Sequence, residues 1–105
     1  MSGFDKRREG MEGKFALDEE QKFKATVRRN KLVGLWAAER LGLVGPAAEE
    51  YAASVVKADF QEPGDQDVIR KLHADFAAKG VVVSDEQIGA ELVARMAEAV
   101  GHVTR

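Results

Sequence analysis

The sequence predicts an all-α fold, a small four-helix bundle with a flexible N-terminal arm. Apolar residues recur at spacings of three and four along most of the chain, which is the period of an amphipathic helix. Glycine and proline interrupt this pattern and divide it into four segments. At 105 residues the chain is long enough for one hydrophobic core. We therefore predict two regions, a flexible arm at residues 1–16 and a four-helix domain at residues 17–105.

The arm carries a narrow apolar stripe among alternating charges. Phe4, Met11 and Phe15 are spaced by seven and four residues, so in a helix they would share one face. Two glycines lie between them, each costing about 1 kcal/mol relative to alanine in a helix, and short isolated helices are marginal in water. The stripe favours an arm that gains its shape by docking on another protein; the alternative is a terminus that is simply disordered.

The first helix is predicted from Leu17 to Leu41. Acid–base pairs at i,i+4 support its first turns, and Trp36 with Leu32 forms an apolar ridge that we expect in the core. Gly34 is expected to allow close approach of a second helix. The main apolar line of this helix comprises Phe23, Val27, Asn30, Gly34, Ala38 and Leu41.

The second helix is predicted to begin at Gly45-Pro46, because proline is tolerated in the first helical turn. A turn follows at Glu62-Pro63-Gly64-Asp65. The acids around it, including Asp67, are expected to cap the next helix or to be solvated, since the spacing of an EF-hand is absent. The expected inward face of the second helix is Ala47, Tyr51, Val55 and Ala58.

The third helix is expected to end at Gly80, and Ser84-Asp85-Glu86-Gln87 matches a capping box that would start the fourth. Between them Val81-Val82-Val83 has the composition of a short strand, but no second strand pattern could pair with it. The expected buried residues are Val68, Ile69, Leu72 and Phe76 on the third helix, and Ile88, Leu92, Met96, Ala99 and Val103 on the fourth.

Composition excludes several classes of protein. The chain has no cysteine, no apolar run of membrane-spanning length and no apolar core of a signal peptide, so we expect a cytoplasmic protein without direct membrane insertion. Residues 1–31 carry a net charge of +3, which leaves −5 on the rest of a chain whose total is −2. A basic leading segment could steer towards an anionic partner. Nucleic acid is not expected, because the isoelectric point of about 5.7 is far from basic.

Catalysis is poorly supported by the sequence, and we expect a protein that is not an enzyme. His73 and His102 lie on different predicted helices without the spacing of metal ligands, and are expected at the surface. The glycines form neither a dinucleotide-binding fingerprint nor a P-loop. We therefore predict no catalytic residues, no metal site and no cofactor.

The most distinctive local feature is the basic run at residues 27–32. Lys24, Arg28 and Lys31 share one face of the first helix, where like charges repel. A solvated face and contact with an anionic protein surface are both open interpretations, with nucleic acid a minor one. Asn30 falls within the apolar line, where a buried amide needs partners and would serve packing or register.

Two blocks of this sequence resemble a small alphaproteobacterial family, the zeta subunits that inhibit the F-type ATP synthase. The resemblance covers nearly the whole chain and is most specific over its first 80 residues or so. The residues that carry it are KFALD (14–18), FK (23–24), RRNKLVG (28–34) and WAA (36–38) in the first block, and DFQEPGD (59–65) and DVIRK (67–71) in the second.

The resemblance implies a four-helix fold whose mobile N-terminal region enters a catalytic interface between the alpha and beta subunits and blocks ATP hydrolysis. It further implies a cytoplasmic protein associated peripherally with the membrane-bound enzyme, with the central stalk as an additional candidate partner. The arm positions that match are Phe4, Arg7 or Arg8, Glu9, Glu12, Lys14, Phe15, Ala16 and Asp18. The predicted partner-binding residues are Phe4, Arg7, Arg8, Met11, Lys14, Phe15, Phe23, Arg28, Arg29 and Asn30.

Two other functions remain open from the sequence. The chain could be a helical adaptor whose basic first-helix face, around Arg28 to Lys31, binds another acidic protein. It could instead use the arm as an interfacial membrane helix, which the mixed charges and the lack of tryptophan in the arm disfavour.

Overall fold

The computed structural model describes residues 17–61 and 64–104, which form four α-helices and no strand. The helices are α1 (Glu19–Arg40), α2 (Pro46–Ala58), α3 (Gln66–Ala78) and α4 (Asp85–Val103). The prediction of an all-α, four-helix fold is confirmed. The predicted arm, residues 1–16, lies outside the described residues.

The longest helix, α1, is the centre of the bundle. It packs along α2 on one side and α4 on the other, while α3 packs against both α2 and α4. Its 22 residues span about 33 Å at the rise of an α-helix, so its two ends meet different surroundings. Most of the buried residues of α1 lie in its second half, and the first half lines an open cleft together with the end of α4.

Capping boxes start the two longest helices. Before α1, the Asp18 carboxylate accepts a hydrogen bond from the Gln21 backbone N–H at 2.7 Å, and the Gln21 side chain accepts one from the Asp18 N–H. Before α4, Ser84 and Gln87 form the same reciprocal pair, which confirms the predicted capping box. Each box satisfies two backbone donors that a helix start leaves without partners.

The hydrophobic core lies between the second half of α1 and the middle of the other three helices. Phe76 of α3 is its largest fully buried side chain. Trp36, half-buried, meets the Phe76 ring edge-on with centroids 5.7 Å apart, a favoured aromatic geometry. The core comprises Val33, Ala37, Leu41, Val55, Val68, Leu72, Phe76, Val83, Ile88 and Leu92.

Gly34 lets α1 and α2 approach closely. A Cβ built on Gly34 would lie 2.6 Å from the Ala52 Cα and 3.1 Å from the Ala52 Cβ. The obstacle is backbone, which cannot rotate away. The expected packing role of Gly34 is confirmed, and Ala52, which the periodicity did not select, is the fully buried residue opposite it.

Two residues expected on inward faces are exposed. Ala47 lies in the first turn of α2 and is exposed, because Ala52 and Val55 carry the contact with the other helices. Phe23 belongs to the predicted apolar line of α1, but 57% of it is accessible. Ala25, which lies outside the predicted line, is the fully buried residue near this end of α1, so the line itself is buried only from its middle onward.

The connection between α3 and α4 is irregular, without strand structure. Gly80 adopts a left-handed conformation with φ of 73°, which a residue with a side chain rarely adopts, and the Val81 N–H donates to the Phe76 carbonyl at 2.8 Å. Val83 is buried in the core, whereas Val82 is 96% exposed. Val83, with Val81 partly buried beside the core, thus anchors the connection.

Candidate partner-binding surface

Two exposed aromatic rings lie together near the start of α1. Phe23 of α1 and Phe60, just after α2, are each 57% exposed, and their rings stack with centroids 5.8 Å apart and planes 11° from parallel. Stacking of this kind is worth about 0.5–1.5 kcal/mol beyond burial. Half of each ring nevertheless faces water, so the pair forms an apolar patch that the described part of the chain does not cover.

A cleft of about 730 Å³ lies beside this pair, between the start of α1 and the end of α4. Its apolar lining comes from Phe23, Val27 and Val103, and Lys24, Arg28 and Lys31 contribute its cations. Asp18, Glu20, Gln21 and His102 are the other described residues that line it. The arrangement combines an apolar surface with positive charge, which suits a partner that is both apolar and acidic.

The three cations of the cleft differ in how they are compensated. Lys24 pairs with Glu20 at 3.3 Å and Lys31 with Glu49 of α2 at 4.0 Å. These contacts reduce the repulsion expected from the sequence, although exposed pairs are worth little. Arg28 has no ion pair or hydrogen bond within residues 17–61 and 64–104, and its Nε atom is buried without a partner.

Behind the cleft, a buried polar network joins α1 to the α2–α3 turn. The Arg29 guanidinium donates to the Asn30 side-chain oxygen at 2.8 and 3.0 Å, and to Asp65 at 3.0 Å. The Asn30 amide in turn donates to Asp59 at 2.9 Å, and Asp59 lies 3.8 Å from the Arg29 Nη2. Two carboxylates therefore share one buried guanidinium and one amide, which satisfies the charges that burial would otherwise penalise.

This network separates the predicted site residues of α1 into two sets. Phe23 and Arg28 are accessible at the cleft, whereas Arg29 and Asn30 are 5% and 1% exposed and present little surface to a partner. The packing or register role considered for Asn30 agrees with this placement. The remaining predicted residues, Phe4, Arg7, Arg8, Met11, Lys14 and Phe15, lie outside the described residues.

The acidic residues around the turn also differ from the sequence expectation. Asp65 precedes α3 but makes no side-chain capping bond, because its carboxylate accepts from Arg29 instead. Asp67 is buried and accepts from Arg70 at 2.9 Å. Glu62 lies outside the described residues. Asp65 and Asp67 therefore serve ion pairs rather than a helix cap.

Sequence reasoning missed the members of this surface that come from distant parts of the chain. Phe60 follows the second helix and carries no periodicity of its own, and His102 and Val103 belong to the far end of α4. The sequence contained one usable indication, since Phe60 is a large apolar residue in a polar turn. Its partner Phe23 could not be inferred without knowing how α1 and α2 pack.

Elsewhere, Tyr51 of α2 is tied to α3. Its hydroxyl donates to Asp75 at 2.7 Å, and Lys71 contacts both that carboxylate, at 3.0 Å, and the face of the Tyr51 ring. Burial, the hydrogen bond to Asp75 and the charge of Asp75 together raise the pKa of Tyr51 well above its usual range. Tyr51 is therefore neutral at physiological pH and fastens α2 to α3.

The described residues offer little for catalysis or metal binding. Residues 17–61 and 64–104 contain no group of three or more His, Asp or Glu side chains that could hold a metal ion. His73 is exposed with its Nδ1 3.0 Å from Asp85, and His102 is exposed at the cleft. None of the helices in this part of the chain is long and apolar enough to cross a membrane.

Comparisons with known proteins agree with the fold and identify the family. One solved structure, a solution NMR structure, is 47% identical to this chain, covers 77% of it and 92% of its own length, and superposes with a TM-score of 0.69. No curated protein matches the sequence. The model of one protein family, described as ATPase inhibitor subunit zeta, matches residues 1–102. The chain therefore belongs to the ATPase inhibitor subunit zeta family, whose description names an inhibitory role.

Proposed function

We propose that this protein is a stoichiometric inhibitor of ATP hydrolysis by the F-type ATP synthase, and that its residues 1–16 fold into an interface between the alpha and beta subunits. The observation that carries this proposal is the family match, which begins at residue 1 and so includes the arm together with the bundle. The apolar stripe of Phe4, Met11 and Phe15 supplies the contact surface that such an arm requires.

In the proposed mechanism, the bound arm keeps a catalytic interface from closing. A rotary catalytic site must open and close in each cycle, so a helix bound in one interface opposes closure by the free energy of its contacts. Burying each of the three large apolar residues fully would contribute about 1.5–3 kcal/mol, enough to offset the ordering of a few helical turns. Arg7, Arg8 and Lys14 would pair with acids on the partner.

The bundle would hold the arm in position at the enzyme. The capping box at Asp18 and Gln21 fixes where α1 begins, so the direction in which the chain enters the bundle is defined immediately after the arm. A fixed attachment point raises the local concentration of the arm once the bundle is at the enzyme. A bundle too large to enter the interface would also limit how far the arm inserts.

The partners in this proposal are the alpha and beta subunits, with the central stalk as a further candidate for contact by the tip of the arm. Binding to the membrane-bound enzyme would place the protein on the cytoplasmic side, peripherally associated with the membrane. No nucleic acid, cofactor or insertion into the bilayer enters the mechanism.

The test is ATP hydrolysis by the purified soluble head of the cognate enzyme. Adding the full chain should reduce hydrolysis until one molecule is bound per head. Deleting residues 1–16 should abolish inhibition, while circular dichroism should show that the helical bundle is retained, since core residues from Val33 to Leu92 pack against one another. Inhibition that survives this deletion would contradict the proposal.

A further inference from the structure

We propose that the cleft between the start of α1 and the end of α4, with the Phe23–Phe60 pair beside it, is a second docking site on the bundle. Its occupant would be a segment of the ATP synthase that carries both acidic and apolar side chains. This inference rests on the proposed function and adds a contact that the arm does not make. The arm would block the catalytic interface, and the cleft would hold the bundle against the enzyme's outer surface.

The first argument is the exposed apolar surface. Phe23 and Phe60 are the large aromatic residues of the described chain that remain more than half exposed. They lie next to each other, and the cleft continues this apolar surface through Val27 and Val103. Contiguous apolar surface of this kind on a small protein marks an interaction site more often than isolated exposed residues do. An apolar side chain placed on the stacked rings would complete their burial.

The second argument is charge. Lys24, Arg28 and Lys31 line the same cleft, and Lys24 and Lys31 are compensated only by solvent-exposed pairs. Arg28 contacts no acid within residues 17–61 and 64–104, and its buried Nε lacks an acceptor. A buried donor without an acceptor is unfavourable. A carboxylate brought by a partner would pair with the guanidinium where it lines the cleft, so the cleft favours an acidic segment over a purely apolar one.

The third argument is position. Asp18, which caps α1 directly after the arm, also lines the cleft. The last residues of the arm therefore adjoin the cleft in sequence, so a partner surface bound by them would be close to it. The second contact then forms within the complex, at a high effective concentration, and needs little intrinsic affinity to strengthen the first. Contacts of this charged type act mainly on association rate and orientation.

The experiment compares two charge reversals in the full chain. Arg28→Glu places an acid in the cleft, whereas Lys57→Glu makes the same charge change on α2, where it does not line the cleft. Inhibition of hydrolysis by the soluble head is measured at low and high salt. We expect Arg28→Glu to raise the half-inhibitory concentration about tenfold at low salt, with a smaller difference at high salt because screening weakens charge contacts. Lys57→Glu should differ little from the unmodified chain.

An uncharged variant pair tests the aromatic part. Phe60→Ser removes one exposed ring, and Val82→Ser removes a side chain that is 96% exposed on the α3–α4 connection. Phe60→Ser should raise the half-inhibitory concentration several-fold at both salt concentrations, and Val82→Ser should leave it unchanged. Thermal unfolding of all four variants shows that each bundle is folded.

The outcomes separate this inference from the proposed function. If the unmodified chain does not inhibit, the proposed function fails and the docking site fails with it. If the unmodified chain inhibits and Arg28→Glu is as potent as Lys57→Glu, the docking site alone is wrong. Sedimentation that shows a dimer of the free chain dissociated by Arg28→Glu would overturn the inference in another way, by assigning the cleft to a second copy.

Discussion

The two halves of α1 differ in what covers them. The second half contributes Val33, Ala37 and Ala38, all fully buried against neighbouring helices. The first half exposes Phe23 and lines an open cleft with cations. One continuous helix therefore supports the core at one end and presents an accessible surface at the other. The difference teaches that the core and the candidate partner-binding surface lie on separate stretches of the same element.

The buried network of Arg29 and Asn30 marks the boundary between these halves. It connects the middle of α1 to Asp59 and Asp65 around the α2–α3 turn, where an apolar core would otherwise continue. Neighbouring residues of the basic run thus lie on different faces of α1. Arg28 faces the cleft, and Arg29 faces the interior. Adjacent residues of the same type have opposite roles because they lie about 100° apart around the helix.

The largest difference in stability is expected between two phenylalanine substitutions, one in the core and one at the exposed end of α1. Phe76→Ala should lower the free energy of unfolding by about 3–5 kcal/mol, because it leaves a cavity in the core. Phe23→Ala should cost less than about 1 kcal/mol, since the ring is more than half exposed. Urea unfolding followed by the fluorescence of Trp36, the sole tryptophan of the sequence, measures both. Similar costs for the two variants would show that the halves are not distinct.

A second contrast concerns the adjacent arginines. Arg29→Ala should cost about 3 kcal/mol, because it leaves Asp59 and Asp65 in a part-buried site without their shared cation. Arg28→Ala should cost less than about 1 kcal/mol, as it removes no ion pair within residues 17–61 and 64–104. The same urea experiment measures both free energies of unfolding. An Arg28→Ala variant less stable than Arg29→Ala would mean that Arg28, and not Arg29, is the arginine that stabilises the fold.

A third contrast uses glycine within helices. Gly34→Ala should cost about 2 kcal/mol, because the added Cβ would lie 2.6 Å from the Ala52 backbone. The control is Gly89→Ala in α4, where nothing lies within 4 Å of the added Cβ. There alanine should stabilise by about 0.5–1 kcal/mol through helix propensity. A neutral Gly34→Ala would mean that α1 and α2 can move apart without loss.

The smallest expected effect is the alkaline behaviour of Tyr51. Its pKa is raised by burial and by Asp75, so the neutral form is favoured in the folded state. This contribution is fully present below the ordinary tyrosine pKa of about 10 and is lost as the pH rises above it. In the Tyr51→Phe variant, the urea midpoint should therefore decrease less between about pH 9 and about pH 11 than in the unmodified chain. Tyr51 is the sole tyrosine, so ultraviolet titration of its phenolate reports its pKa directly.

Helical periodicity, together with the glycine, proline and capping residues that interrupt it, predicted most of the fold. The four helices follow from spacings of three and four, from Gly45-Pro46 and from the Ser84 capping box, because these are local effects. Gly34 was identified because glycine inside a helix needs a packing reason. The periodicity failed at Phe23, since a pattern of apolar residues shows which face they share but not whether another helix covers that face.

The candidate surface was predictable only in part. Arg28 and Arg29 look equivalent in sequence, and only the position of the α2–α3 turn decides which of them is buried. Phe60, His102 and Val103 join the surface through tertiary packing, which no local pattern contains. The arm residues came from an apolar stripe and a family resemblance, and their contacts remain a prediction.

The most direct test of the whole account changes the arm while leaving the bundle intact. Replacing Phe4, Met11 and Phe15 together by serine removes the apolar stripe and retains every charge of the arm. Hydrolysis by the soluble ATPase head and the urea midpoint reported by Trp36 are measured on the same preparation. The account predicts that inhibition is lost while the midpoint is unchanged. Full inhibition by the triple variant, or loss of inhibition only together with a lower midpoint, would contradict it.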